Sequence, residues 1–220
     1  MFVSRVTANN MSSDGRMIPA NALLSKKKPT AKEKALDKSL VKYMDEEMKL
    51  ESDAETNRRK NVTYELEVLF KQFVKKVAMN KGMTEEEAED AGGELRLSGS
   101  YRLGVRDVGA DIDTICVAPN FVDRDDFFTL LQEELVKHKK VTDFSSIPTA
   151  KVPIMTFDYD EVNIDLQFAR LASNKVKKNF DVLDDDILKG IDDATEKSIN
   201  GPRVTNMISA LVKVAKEDDG

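Results

Sequence analysis

Three aspartates in apolar surroundings are the residues of this sequence that could do chemistry. Asp111 and Asp113 stand one residue apart at the start of the apolar run DIDTICVAP. If this run is a strand, residues i and i+2 point to the same face, so both carboxylates project together and Ile112 points to the opposite, buried face. Asp165 repeats the pattern in NIDLQF. Three carboxylates therefore converge if the two strands are neighbours in one sheet.

A convergence of carboxylates needs a cation. Two like charges about 4 Å apart repel by roughly 4 kcal/mol at an effective dielectric near 20, and a divalent ion removes this penalty. Oxygen ligands without histidine or cysteine suit Mg²⁺ or Mn²⁺, and a pair of such ions can bind the attacking and leaving oxygens of a phosphoryl displacement. The three aspartates therefore predict a two-metal site for phosphoryl transfer.

A Gly-Ser pair precedes the paired acids. Ten residues separate Ser100 from Asp111. Gly99 would let a phosphate approach the backbone, and Ser100 could donate from its hydroxyl and its amide as a helix begins. An Asp-x-Asp alone is more often a solvated pair, and a Gly-Ser alone is more often a turn. Their combination with Asp165, in this order, favours a functional site.

The composition disfavours several other kinds of chemistry. The 220-residue chain has a net charge of −6 and holds one histidine and one cysteine. A Ser-His-Asp triad or a histidine-based metal site is therefore not favoured. Cys116 lies at an apolar strand position and is expected to be buried, whereas His138 lies at a charged helix end and is expected to be solvated. The net acidity means that contact with nucleic acid must be local.

No segment is typical of membrane insertion or secretion. The sequence has no run approaching the roughly 18 apolar residues of a membrane span, and its start lacks the layout of a signal peptide. We therefore expect an intracellular protein without membrane contact.

Periodicity and capping signals predict an α+β fold in which helices flank a mixed sheet. We expect helices after Thr30, after residue 60, from the capping box of Thr84 and Glu87, after Asp123 and within residues 184–216. The strands are expected in ELRLSG, IDTICVAP, KVPIMTFDY and VNIDLQFAR, of which the last two form a hairpin. The first 28 residues show no sustained period and are expected to be disordered.

The sequence resembles the eukaryotic nuclear-type poly(A) polymerases, which are polymerase-beta-like nucleotidyltransferases. The resemblance runs from about residue 33 to 214 in consistent order. It is carried by the segments AEDAGGEL, GSYRLGV, GADIDTICVAP, VDRDDFFTLL, KVPIM, VNIDLQFARL and SINGPRVTN.

The resemblance implies template-independent addition of AMP from ATP to an RNA 3′ end. Asp111 and Asp113 match the residues that hold two Mg²⁺ or Mn²⁺ ions, and Asp165 matches the third carboxylate. The matching nucleotide contacts are Ser98, Gly99, Ser100 and Asn200. From the residues alone, Asn200 would be a turn or cap residue, since Asn-Gly is a turn signal. A nuclear location and other polyadenylation factors as partners are implied by the resemblance only.

Two departures from the family's pattern shape these expectations. Ser98 stands where the family usually has an aromatic residue. The Lys, Tyr and Gly-Val elements that grip triphosphate and adenine, and the RNA-binding domain, have no counterpart in this chain. We therefore expect a disordered segment (1–29), a nucleotidyltransferase domain (60–174) and part of a helical middle domain (30–59 and 175–220). The apolar stripe of Val204, Ile208, Leu211, Val212 and Ala215 should then need a partner.

Two alternatives remain at this point. One is a truncated, catalytically silent relative that acts as an interaction or regulatory module. The other is a terminal transferase that adds a different nucleotide, because the groups that choose the base lie outside the matched segments. Intact Asp111, Asp113 and Asp165 favour the polyadenylating enzyme, since nothing structural demands all three acids.

Overall fold

A five-stranded mixed sheet organises the larger part of the chain. The computed structural model describes residues 27–47, 51–105 and 108–217. The chain divides into two compact units, Met1–Met48 and Lys49–Gly220. The strands, all in the second unit, are β1 (Glu94–Leu97), β2 (Ile112–Ala118), β3 (Val141–Ile147), β4 (Ile154–Tyr159) and β5 (Val162–Arg170). Their order in the sheet is β1-β2-β5-β4-β3, with only β2 and β5 parallel. The predicted α+β fold is confirmed.

Capping residues stand before several helices, and the second helix, which was expected after residue 60, begins earlier, at Asp53. Ser52 with Glu55 and Thr84 with Glu87 form capping boxes, and the Thr30 hydroxyl accepts from the amide of Glu33. The first unit contains α1 (Ala31–Glu47). The helices of the second unit are α2 (Asp53–Asn80), α3 (Glu85–Asp90), α4 (Gly99–Arg102), α5 (Arg124–Asp126), a π-helical turn (Phe127–Leu131), α6 (Gln132–Lys137), a 3-10 turn (Asp185–Leu188) and α7 (Asp193–Glu217). The segment predicted to be disordered lies, up to residue 26, outside the described residues. No helix in the described ranges has the length and hydropathy of a membrane span.

One face of the sheet packs against α2, the π-helical turn and α6. The apolar stripe of α2 supplies Phe70 and Phe73, which are essentially inaccessible to solvent. They pack with alternate residues of the strands, such as Ile112 on β2 and Ile164 on β5. Truncating one of these phenylalanines would cost about 3–5 kcal/mol. Because the face is dry and continuous, β2 and β5 are held in a fixed register.

The opposite face of β2 and β5 is divided between acids and a second apolar cluster. Ile115, Val117 and Ala169 lie on the same face as Asp113 and Asp165 but nearer the other end of the strands. They pack with Ile199 of α7. Consequently α7 covers the apolar end of this face, next to the end that carries the acids.

The long helix α7 differs from the local prediction for its centre. Asn200 and Gly201 were expected to form a turn or a cap, but both lie inside α7, which also accommodates Pro202. The turn prediction was wrong because Ile199, Pro202 and Thr205 are buried against the rest of the second unit. This packing outweighs the weak preference of Asn-Gly for a turn. The predicted apolar stripe is exposed at Val204, Ile208 and Leu211, whereas the side chains of Val212 and Ala215 lie outside the description.

Two other local expectations fail for a tertiary reason. The edge strand β3 was not predicted, because its residues are mostly polar and exposed and a bulge at Asp143 interrupts its alternation. His138 was expected in solvent but is half-buried and stacks on Tyr159 at 5.1 Å between ring centroids.

Two other local expectations are confirmed. Cys116 is buried and unpaired, as predicted, and burial raises the pKa of its thiol. The predicted hairpin of β4 and β5 is confirmed, with Asp160 and Glu161 at positive φ in its turn.

Candidate active site

The parallel pairing of β2 and β5 brings the three aspartates together. Asp113 and Asp165 are direct partners in the ladder, so their side chains stand side by side on one face. Asp111 lies one residue before β2 begins. One carboxylate oxygen from each of the three residues lies within 4.8 Å of the others. The convergence expected from the sequence is therefore present, on the face that the second apolar cluster supports.

The charges of this triad are poorly compensated by the protein. Burial raises the pKa of the Asp113 carboxyl, and the neighbouring Asp111 charge raises it further. Burial also raises the pKa of Asp165, with added contributions from Asp111 and Asp113. No lysine or arginine in the described ranges forms an ion pair with any of the three. An all-carboxylate cluster of this kind could hold a divalent metal ion, and its oxygen donors fit Mg²⁺ or Mn²⁺.

The Gly-Ser turn packs directly against the triad. The amide of Ser98 donates to the carbonyl of Asp113 at 3.0 Å, which extends the pairing of β1 and β2 by one bond. Gly99 then turns the chain into α4 with a φ of +64°, and a Cβ at this position would lie 1.9 Å from Asp113 Oδ2. Both the conformation and the contact require glycine. The reason for Gly99 is thus visible without a ligand: it makes room for a carboxylate of the triad.

A side chain of α7 fixes the same turn from the other side. The Gly99 amide donates to Thr205 Oγ1 at 3.2 Å, and this hydroxyl donates to the Gly201 carbonyl at 2.9 Å. A Cβ at Gly201 would lie 3.4 Å from Ser98 Oγ. The SINGPRVTN segment is therefore in contact with the Gly-Ser turn, although more than 90 residues of sequence separate them.

The predicted nucleotide contacts lie where α7 meets the Gly-Ser turn, but they differ in their exposure to solvent. Ser98 is buried, with 4% of its surface accessible. Ser100 is half-buried in the first turn of α4, and Asn200 is exposed on α7, next to the glycine that approaches Ser98. The fold thus brings the α7 segment to the Gly-Ser turn, and the roles of these residues toward a nucleotide stay predictions.

Arg59 is a residue of this site that the sequence prediction missed. Its guanidinium is buried, donates to the Ala110 carbonyl at 2.6 Å and lies 4.8 Å from the centre of the Tyr101 ring. A signal for it existed. The buried stripe of α2 passes through Leu66 and Val62, and one further turn toward the amino terminus reaches Arg59. Within the charged run NRRKN, the phase of the helix alone distinguishes it from Arg58.

Comparison with known proteins identifies relatives of this chain. The family model described as the poly(A) polymerase nucleotidyltransferase domain matches residues 22–212. Poly(A) polymerase pla1 of Schizosaccharomyces pombe is 42% identical over 83% of this chain and 32% of its own length. Nuclear poly(A) polymerase 4 of Arabidopsis thaliana is 38% identical over 79% of this chain and 24% of its own length. A solved structure of Cid1, titled for its RNA terminal uridylyl transferase activity, aligns with a TM-score of 0.44 at 19% identity, covering 61% of this chain and 37% of that chain.

The matches cover most of this chain but only a part of each relative. The chain spans about a third or less of the length of these curated relatives. The family model, by contrast, covers most of the chain, including the Gly-Ser turn, all three aspartates and the α7 segment. The resemblance read from the sequence is confirmed, and the chain belongs to the poly(A) polymerase nucleotidyltransferase domain family.

Proposed function

We propose that this chain provides the catalytic centre for template-independent transfer of AMP from ATP to an RNA 3′ end. The observation that carries the proposal is the convergence of Asp111, Asp113 and Asp165 within 4.8 Å beside the Gly-Ser turn. Family membership supports the choice of ATP and RNA as substrates. In the reaction, the RNA 3′ hydroxyl gives its proton to solvent and its oxygen bonds to the α-phosphorus of ATP. The bond between the α-phosphorus and the oxygen that bridges to the β-phosphorus breaks, and pyrophosphate leaves with the electron pair of that bond.

The three carboxylates are proposed as ligands of two divalent ions, Mg²⁺ or Mn²⁺. Asp111 and Asp113 would contact both ions, and Asp165 would complete the position nearer the RNA 3′ end. When bound, such ions lower the pKa of the attacking hydroxyl and offset the charge on the triphosphate. Asp113 and Asp165 occupy directly opposite ladder positions, so the pairing of β2 and β5 fixes the separation of their backbones.

The nucleotide is proposed to lie at the junction of α4 and α7. Ser100 and Asn200 are the polar side chains that would contact it, and Ser98 and Gly99 would shape the turn beneath the triphosphate. Because Gly99 touches the Asp113 carboxylate, a phosphate group held at this turn lies beside the metal ligands. The relative named nuclear poly(A) polymerase 4 supports the nucleus as the compartment. Polyadenylation factors are proposed as partners on family membership alone.

Incorporation of labelled ATP onto a short oligo(A) RNA, with Mg²⁺ or Mn²⁺, tests this function. We expect extension by the native chain and at least a hundredfold loss in Asp113→Asn, because one carboxylate ligand is removed. Asp125→Asn is the matched control, since it removes an exposed aspartate of α5 away from the triad.

The outcomes separate the candidate functions. Preferred incorporation of UTP, CTP or GTP would support a terminal transferase of different specificity. No extension by a native chain that is folded by circular dichroism would contradict the claim that this chain by itself carries the activity. Equal activity of Asp113→Asn and Asp125→Asn would contradict the assignment of the triad.

A further inference from the structure

Asp111 is the member of the triad that the sheet does not hold. The ladder between β2 and β5 begins at Ile112, opposite Ile164, so Asp113 and Asp165 are fixed by strand pairing but Asp111 precedes it. Asp111 is also the exposed member of the triad, whereas the other two are half-buried. Its carboxylate therefore needs another constraint if it is to keep a fixed position relative to its neighbours.

Arg59 contacts the backbone immediately before β2. Its Nη1 donates to the Ala110 carbonyl at 2.6 Å, and its Nη2 lies 3.5 Å from the Asp111 carbonyl. These two nitrogens of one planar group thus approach two consecutive carbonyls, immediately before the strand begins. A guanidinium can span such a pair because its donors form a rigid fork, which an ammonium group lacks.

The guanidinium also lies against two other groups. Its carbon lies 4.8 Å from the centre of the Tyr101 ring, and Tyr101 belongs to α4, the helix that follows the Gly-Ser turn. On a third side, Nε lies 3.8 Å from Glu51 Oε1, and both side chains are more than nine-tenths buried. Arg59 therefore connects three segments: the residues before α2, the Gly-Ser helix and the backbone of Asp111.

We propose that Arg59 is a positioning residue that fixes the backbone of Asp111 and thereby the place of its carboxylate in the metal-binding triad. The inference rests on the proposed function only for its consequence in metal binding. Arg59 does not touch the substrate in this scheme, and its effect passes through Asp111. Loss of a group that orients a metal ligand typically weakens metal binding about 10–100-fold.

Arg59→Lys is the primary test, because it keeps the charge opposite the buried Glu51 and removes the fork. Arg58→Lys is the matched control, since Arg58 is the neighbouring residue of α2, is exposed and pairs with Glu161. Mn²⁺ binding is measured by electron paramagnetic resonance on each protein. We expect the dissociation constant to rise about 10–100-fold in Arg59→Lys and to be unchanged in Arg58→Lys.

A double-mutant cycle with Asp111→Asn distinguishes positioning from a general structural effect. If Arg59 acts through Asp111, Arg59→Lys should change Mn²⁺ affinity by less than about twofold in the Asp111→Asn background. An equal loss in both backgrounds, or no loss in the native background, would overturn the proposal. If Arg59→Lys does not fold, Tyr101→Leu serves instead. It removes the ring that the guanidinium lies over, with a smaller loss expected and the same dependence on Asp111.

Amide hydrogen exchange gives a readout that does not depend on the metal. Exchange in the peptide containing Ala110, Asp111 and Ile112 should be about tenfold faster in Arg59→Lys than in Arg58→Lys. If the native chain binds no Mn²⁺, the proposed function fails, whereas the role of Arg59 is still decided by this exchange rate. Unchanged exchange would refute the positioning role.

Discussion

Replacing Asp113 by asparagine should stabilise the metal-free protein and abolish its response to divalent ions. Asparagine has nearly the same shape, so the close contact with Gly99 is kept while one charge of the triad is removed. Ordinary substitutions of a half-buried residue destabilise a protein. A gain in stability would therefore be diagnostic of repulsion among the three carboxylates.

The expected size of the gain follows from the geometry of the triad. At the 4.8 Å limit that encloses the ligand oxygens, two unit charges repel by about 0.9 kcal/mol in water and about 3.5 kcal/mol at an effective dielectric of 20. Because Asp111 is exposed and the other two are only half-buried, the lower part of this range applies. We expect about 1–2 kcal/mol, which is a rise in Tm of about 2–8 °C for a chain of this size.

The gain should depend on pH in a defined direction. The pKa of Asp113 is raised in the folded state by burial and by Asp111. The folded protein therefore binds this proton more tightly than the unfolded chain does, and the stability that the proton provides is lost as pH rises through the raised pKa. The advantage of Asp113→Asn should be full at neutral pH and should disappear below about pH 4, where the carboxyl is protonated in both states.

Thermal melts followed by circular dichroism in EDTA measure this effect, with Asp125→Asn as the control. Adding Mn²⁺ at about 100 times its dissociation constant should stabilise the native chain by about 2.7 kcal/mol and leave Asp113→Asn unchanged. A lower or equal Tm of Asp113→Asn in EDTA at neutral pH would refute the reasoning, because it would mean that the triad is not a site of net repulsion.

Three further expectations follow from the same site. Gly99→Ala should weaken Mn²⁺ binding at least tenfold in a metal titration, because the added Cβ would lie 1.9 Å from Asp113 Oδ2. Gly104→Ala is the control, since Gly104 also has a positive φ but nothing lies within 4 Å of an added Cβ. Thr205→Val should cost about 1–3 kcal/mol in denaturant unfolding, because it leaves the Gly99 amide without the acceptor it has at 3.2 Å. The affinity for Mn²⁺, measured from neutral pH down to the acid limit of the folded state, should fall as pH falls through the raised pKa values of Asp113 and Asp165, since protons compete for the same oxygens.

Each of these has a contrary result. Equal effects of the two glycine substitutions would mean that backbone conformation, and not the contact with Asp113, is what matters. An unchanged midpoint for Thr205→Val would mean that α7 does not hold the Gly-Ser turn through this hydroxyl. Mn²⁺ affinity that stays constant down to the acid limit of the folded state would contradict competition between protons and the metal at Asp113 and Asp165.

Local signals in the sequence predicted much of the catalytic sheet and its acids. Alternation fixed the faces of β2 and β5, because every second side chain of a strand points the same way, and this placed Asp113 and Asp165 opposite the buried residues. The capping box of Thr84 and Glu87 located the start of α3, since its side chains satisfy amides of the first turn within three residues. The start of α2 was placed too late, after residue 60, although Ser52 and Glu55 form the same local motif. These interactions are local, so the sequence contains them directly.

The tertiary structure decided what depends on contacts between distant residues. Three contacts of the site join segments that are 50 or more residues apart in the sequence. They are the pairing of Asp113 with Asp165, the hydrogen bond between Gly99 and Thr205, and the contact of the Arg59 guanidinium with the Asp111 carbonyl. The sequence around Arg59 and around Thr205 contains no local feature that predicts which distant residues these side chains contact. Packing also overrode local preference where Asn200 entered α7. The sequence by itself thus determined the three acids and the Gly-Ser turn as candidates for the site. The fold added Arg59 and Thr205 and determined the separations, because those contacts exist only once β2, β5, α2 and α7 have packed together.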